Sequence, residues 1–290
     1  MPSISGVVYD SSGNPAIRTV RAYLRSSGAF VNRTLSAGDG SYSITVPTTA
    51  EHIVVAHDAT LANATKLLVP MNGTNGSTAF TDSAGHTVTV VGSAAISTAQ
   101  GKFNGSSAYF NGSTGNWLKV PYNDFVVTSA QPYCFEAWVY PTTMSGQHGI
   151  FGYDTEATGR RFFGLNGANL YIEQWGTGVV LSVAHNMTAN NWYHVAFVRD
   201  TTTQYAYVNG VLKGSVGNTS PFGTSSGSFA IGSSMQGGEH PFQGYIDCAR
   251  AIIGEPVYIT AFTPSNYELQ YLANTEFGGN AIVYDRVIPI

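Results

Sequence analysis

Charge is scarce in this sequence. Of 290 residues only 10% are Asp, Glu, Lys or Arg, against about a quarter in an ordinary soluble domain. The 13 basic residues are scattered and the net charge is −4, which excludes the clustered Lys and Arg of a nucleic-acid footprint. No apolar run nears the roughly 18 residues that span a bilayer, so membrane insertion is not expected. Cysteine is nearly absent. Cys134 and Cys248 lie in apolar, strand-like contexts and read as reduced core thiols, not as a disulfide or metal pair. The opening MPSISGVVYD lacks the charged n-region and apolar h-region of a secretory signal. The eight Asn-x-Ser/Thr sites, among them Asn72, Asn104 and Asn111, then read as turn chemistry and not as glycosylation sites. There is no Ser/His/Asp signature, no His-Glu-x-x-His and no metal-spaced Cys/His cluster.

Glycine (33), tyrosine (17) and phenylalanine (15) are plentiful, a composition of short strands and tight turns. Residues 3–57 predict a small all-β unit. SISGVVYD alternates and breaks at SSGNPA, and IRTVRAYLR places Val20, Ala22 and Leu24 on one face. GDGSYSITVP and EHIVVAHD bring the segment to five candidate strands, a spacing that fits an immunoglobulin-like sandwich. From about Thr65 onward the strands are longer. Their turns use Asn-Gly at 72–73, 75–76, 104–105, 111–112, 166–167 and 209–210, which supplies the positive φ of a two-residue hairpin. Strands are predicted at 117–120, 133–140, 162–165, 170–175, 192–199, 205–208, 229–231 and 245–253, enough for a large antiparallel two-sheet sandwich. In NWYHVAFVR (191–199) both faces are largely apolar, which predicts a central strand covered on each side. Only PSNYELQYLANT (264–275) reads as helical, with Ser265 as cap and Glu268 as its partner.

In order along the chain, FTDSAGHTVTV, GKFNGSSAYFNGSTGNWLKVP, FEAWVYPT, NWYHVAFVRD, YVNGVLKG and FQGYIDCARAI resemble a laminin-G-like, concanavalin A-type domain over about 65–275. ISGVVYDSSGNPA and GDGSYSITVP resemble the carboxypeptidase-regulatory-like β-sandwich module. The ending YDRVIPI resembles endings that follow this module in tailed-bacteriophage virion proteins. These resemblances imply an all-β chain: a small Ig-like β-sandwich (1–60 plus 278–290) and a large concanavalin A-like jelly-roll sandwich (65–275) inserted into it. Insertion at a loop whose ends lie close together is the tolerated way to add a domain.

Concanavalin A-type sandwiches include glycoside hydrolases, whose catalytic carboxylates share one strand face. The Glu-x-Asp-x-x-Glu run of those enzymes is absent. Asp154 and Glu156 have the spacing i, i+2, but their Gly and Thr neighbours predict a solvated loop. Glu136 and Glu173 are single strand carboxylates, and His194, mid-strand, reads as a hydrogen-bonded core residue. Sugar binding needs an aromatic platform and a few fixed polar groups. The resemblance places the binding edge in the loops after Tyr140 and Ser233, which hold Gln147, His148, Tyr153, Asp154, Arg160, Arg161, Gln236, Glu239 and His240, with Trp175 on a neighbouring strand. Paired Arg160 and Arg161 would suit an acidic sugar. The resemblance also implies a calcium ion held by Asp82 and Asp247, although Asn72 stands where relatives carry a carboxylate.

The function expected from all this is a non-enzymatic virion protein of the tail, baseplate or capsid surface. Its small domain would dock to other virion proteins. Its large domain would bind a host-surface glycan or protein, as homo-oligomeric copies on the particle. A particle-borne polysaccharide depolymerase and a purely structural spacer or oligomerisation module are the alternatives.

Overall fold

The computed structural model describes residues 2–9, 15, 18–27, 30–47, 49–57, 64–121, 124–154, 160–223, 227–234, 239–265, 268–269, 271–272 and 282–283. The chain divides into two compact units, Met1–Asn63 with Ser265–Ile290, and Ala64–Pro264. In the small unit β1 (Ser3–Val7) pairs with β4 (Ser41–Thr45), while β2 (Thr19–Leu24) lies between β3 (Phe30–Leu35) and β5 (His52–His57). Val8, Val20, Ala22, Ile44, Val46 and Val54 bury together as its core. Alternation along β2 supplies Val20 and Ala22, each fully buried. The helix expected at 264–275 does not form where that segment is described. Tyr271–Leu272 (β21) pairs antiparallel with Ile282–Val283 (β22). A short lone helix is marginal without a packed face, and strand pairing satisfies the same backbone groups.

The large unit is a two-sheet antiparallel sandwich of the concanavalin A-like fold. Its strands are β6 (Thr65–Val69), β7 (Thr89–Val91), β8 (Ala95–Ser97), β9 (Ser107–Asn111), β10 (Trp117–Pro121), β11 (Tyr133–Pro141), β12 (Gln147–Asp154), β13 (Arg161–Asn166), β14 (Asn169–Gln174) and β15 (Gly178–Ala184). They continue with β16 (Tyr193–Arg199), β17 (Thr203–Val208), β18 (Val211–Gly217), β19 (Ser228–Ile231) and β20 (Gln243–Ile253). One sheet runs β15-β14-β13-β12-β19-β10-β7; the other runs β18-β17-β16-β11-β20-β9-β8, with β6 also paired to β20. Each predicted strand from 117 onward is present, longer or shorter by a residue or two at its ends. The inward faces meet in one aromatic core. Phe135 of β11 contacts Phe151, Phe163 and Phe229 of the opposite sheet with ring centroids 5.2–6.0 Å apart. Cys134 and Cys248 are both buried, and neither is in a disulfide.

Strand β16 is covered on both faces, as its two apolar sides predict. Val195 and Phe197 enter the core, whereas His194 lies against Phe262 and Tyr258 of the segment that follows β20. The Asn209-Gly210 turn anchors that segment. Both residues have positive φ (49° and 75°), and the Gly210 carbonyl accepts a hydrogen bond from Phe262 N at 3.0 Å. A Cβ on Gly210 would sit 1.7 Å from the Phe262 carbonyl oxygen. Gly210→Ala is therefore expected to cost about 1–3 kcal/mol of stability through left-handed strain and a backbone clash. A thermal melt unchanged by this substitution would show that the turn does not hold the covering segment.

A β-bulge sets the outer face of the eight-stranded sheet. The register between β11 and β20 shifts between Glu136 and Trp138, and Cys248 takes a left-handed φ of 49°. The extra residue lets Asp247 and Arg250, three apart, both point away from the core. They stand opposite Trp138 and Glu136.

Candidate functional site

On this outer face four aromatic side chains form a row across the strands. Tyr109 of β9 is directly opposite Tyr245 of β20, and Tyr245 is directly opposite Tyr140 of β11. Trp192, just before β16, continues the line. Ring centroids are 5.0 Å apart for Tyr109–Tyr245, 5.7 Å for Tyr140–Tyr245 and 5.5 Å for Tyr140–Trp192. Three strand spacings make the row roughly 14 Å long. Tyr109 is 37% exposed, and the other three rings are half-buried. Cross-strand aromatic pairs of this kind stabilise a sheet, and their outward edges stay available. Gln243, exposed and two residues from Tyr245, flanks one side of the row. On the other side Trp138 carries the Lys102 ammonium 3.8 Å from its ring centre. None of these aromatic residues is among those that the sequence predicts at the binding edge. Tyr109, Trp138, Tyr140 and Tyr245 occupy outward strand positions and Trp192 immediately precedes a strand, but their adjacency depends on the order β9-β20-β11-β16, which jumps back and forth along the chain.

The residues predicted to rim the site scatter. Tyr153 belongs to the core, where its hydroxyl donates to the Phe125 carbonyl at 2.8 Å; no external ligand reaches it. Arg161 is also fully buried, its guanidinium held by Gln174 and packed 4.3 Å from the Phe222 ring centre. Arg161 shares its strand face with Phe163 and Leu165, so alternation along β13 turns it inward, where the segment holding Asn218 and Phe222 packs on it. His148 is buried, with Nε2 2.9 Å from the Ser145 carbonyl and Nδ1 3.3 Å from that of Pro241. His240 stacks on Phe162 and bonds Ser234 Oγ at 2.8 Å, and burial lowers its pKa. Gln147, half-buried, opens β12, and Glu239 is exposed, its carbonyl accepting from Ser233 and Ser234. Arg160 and Trp175 do meet: the guanidinium lies 4.8 Å from the ring centre, and Trp175 is 52% exposed. The backbone of Asp154 ends strand β12 instead of lying in a loop; its side chain, Gln236 and Glu156 lie outside the described residues.

The carboxylate closest to a catalytic arrangement is Glu136. It is buried on the outer face of β11, paired with Arg250 and 3.0 Å from His194 Nε2. Burial alone would raise its pKa, but the Arg250 charge and the hydrogen bonds from His194 and Arg250 carry it down to about 2. Such a group stays ionised at neutral pH and has no proton to give as a general acid. Tyr258 and Phe262, stacked with centroids 3.6 Å apart, lie over His194. The trio is a paired, desolvated anchor for the covering segment, and His194 is the hydrogen-bonded core residue expected.

Asp82 and Asp247 do not fit a calcium site. Asp82 accepts from Leu68 N (2.8 Å), Ala84 N (3.0 Å) and His86 N (3.1 Å), and its Oδ2 is 2.7 Å from His86 Nδ1. His86 Nε2 is also 2.9 Å from Asp124 Oδ2. Burial opposes protonation of His86, but the two aspartates outweigh it and raise the pKa. Asp247 Oδ2 accepts from Lys102 N at 2.9 Å and Phe103 N at 3.1 Å. Both carboxylates serve to tie loops to the sheet, and no group of three His, Cys, Asp or Glu is placed to hold a metal among the described residues.

Comparison with known proteins agrees with this architecture. Residues 111–252 match the Concanavalin A-like lectin/glucanases superfamily. Among solved structures, the botulinum neurotoxin serotype G binding domain aligns with a TM-score of 0.50 and 15% identity, covering 66% of this chain and 48% of that one. The serotype D ligand binding domain, solved in complex with N-acetylneuraminic acid, aligns with a TM-score of 0.50 and 13% identity, covering 68% and 49%. This chain thus spans about half the length of those toxin domains. Domain 4 of AbnA, a GH43 extracellular arabinanase from Geobacillus stearothermophilus in complex with arabinotriose, aligns at a TM-score of 0.49 and 23% identity, over 66% of this chain and 93% of that one. At these identities the likeness is one of fold. No curated protein matches the chain.

Proposed function

We propose that the large unit is a non-enzymatic carbohydrate-binding module through which a virus particle attaches to its host. The observation that carries this reading is the outward row Tyr109–Tyr245–Tyr140–Trp192. Aromatic rings offer flat apolar faces to the C–H faces of sugars, and the flanking Gln243 can fix hydroxyls by hydrogen bonding. The fold is shared with a domain solved with a bound sugar, and the central carboxylate, Glu136, is committed to Arg250. The particle assignment rests on the resemblance of the small module and the YDRVIPI ending to tailed-bacteriophage virion proteins. On this reading the chain sits on the virion, bound to other virion proteins, and several copies make weak sites effective.

The test is binding of the full chain to host-surface polysaccharide by a retention assay. Tyr140→Ala with Tyr245→Ala is expected to weaken retention at least about tenfold, as loss of aromatic anchors does elsewhere, while the melting transition stays cooperative. Retention unchanged in the double variant would refute the row as the binding face.

A further inference from the structure

We infer that this outer face takes an extended, carboxylate-bearing glycan, its sugar rings laid along the aromatic row and its acidic groups set on Lys102. This rests on the glycan-binding reading and adds the ligand's shape and charge. The shape follows from the row itself. Four rings crossing the strands over roughly 14 Å would be left mostly uncovered by a single terminal sugar, whereas a chain of several residues covers them all. The rings are tilted against one another, by 42° for Tyr109–Tyr245 and 77° for Tyr140–Tyr245. They therefore present a ribbed surface to successive sugars and not one flat plate.

The charge follows from what borders the row. Trp138 lies two residues from Tyr140 on the same face, about 7 Å along the strand, and Lys102 rests on its ring. Lys102 is half-exposed and forms no close ion pair among the described residues. The carboxylates on the same face are buried, although the charge of Asp247 acts on the Lys102 ammonium. Asp247 is buried and accepts the backbone N–H groups of Lys102 and Phe103, and Glu136 is buried against Arg250. The half-exposed charge beside the row is thus a cation on an aromatic ring, on a chain that is elsewhere poor in charge. An anionic sugar meets both features at once: its ring stacks and its carboxylate accepts a charge-assisted hydrogen bond.

The experiment uses the full chain on an array of linear uronate- and sialate-containing oligosaccharides, each printed beside its carboxyl-methylated ester. The expected result is binding to acidic members that falls about tenfold on methylation and equally in Lys102→Met, the weight of one hydrogen bond to a charged group. Tyr245→Ala should weaken acid and ester alike. Equal binding of acid and ester, with Tyr245→Ala still damaging, would overturn the charge assignment and leave the glycan reading standing. Silence across the array would overturn the inference, and binding indifferent to Tyr245→Ala would overturn the aromatic row as the binding face as well. Attachment to host cells that survives periodate oxidation of their glycans but not protease treatment would place a protein on the row and refute the inference.

Discussion

Replacing Glu136 by alanine is expected to cost about 3–5 kcal/mol of folding stability, the usual consequence of stranding one partner of a buried pair. Arg250, fully buried, would lose the carboxylate that neutralises it, and His194 would lose the partner 3.0 Å from its Nε2. Denaturant unfolding measures the loss directly. Glu136→Gln keeps the shape and part of the hydrogen bonding, so it should cost less. The same group gives a pH dependence. Its folded pKa, about 2, lies below the ordinary 4.5, so its stabilisation is complete above roughly pH 5 and fades as pH falls towards 2. Stability of Glu136→Gln should therefore decline less steeply across that window. A loss under about 1 kcal/mol in Glu136→Ala would mean that the pair is not desolvated as described.

Phe135→Ala should be comparably severe, and for a different reason. The ring is fully buried, stacks on Tyr133 at 4.9 Å and touches Phe151, Phe163 and Phe229 across the sandwich. Truncation leaves a cavity between two sheets that cannot collapse without moving several strands, which costs about 3–5 kcal/mol. Phe135→Leu, which keeps most of the volume, should recover the larger part of that. If both variants unfold at the wild-type denaturant concentration, the two sheets are not joined through this cluster.

The strands were legible because most follow a period of two bounded by Gly and Asn-Gly turns. NWYHVAFVR shows both of its covered faces in the letters alone, and IRTVRAYLR its single one. Legibility stopped where a polar residue faces inward, where a bulge breaks the period, and where strands distant in the chain pair. Arg161 alternates in phase with Phe163 and Leu165 and so faces inward, which its charge masked in the sequence. Tyr153 alternates correctly and simply faces inward. Along β20 the bulge at Cys248 breaks the period, so no count of two predicts that Asp247 and Arg250 share a face. Glu136 and His194 were visible one at a time, 58 residues apart; only the pairing of β11 with β16 brings them together. The aromatic row failed to show for the same reason, since its four members come from strands that are neighbours in the sheet and distant in the chain.

Retention and cleavage measured together, on polysaccharides from the host surface, address the central claim most directly. The full chain is incubated with each polymer while bound material and newly formed reducing ends are followed over the same period. Polymer held through Tyr140 and Tyr245 with no new reducing ends is the predicted result. Reducing ends that accumulate with the wild-type chain and vanish with Glu136→Gln would contradict it, as would failure to hold any polymer at all.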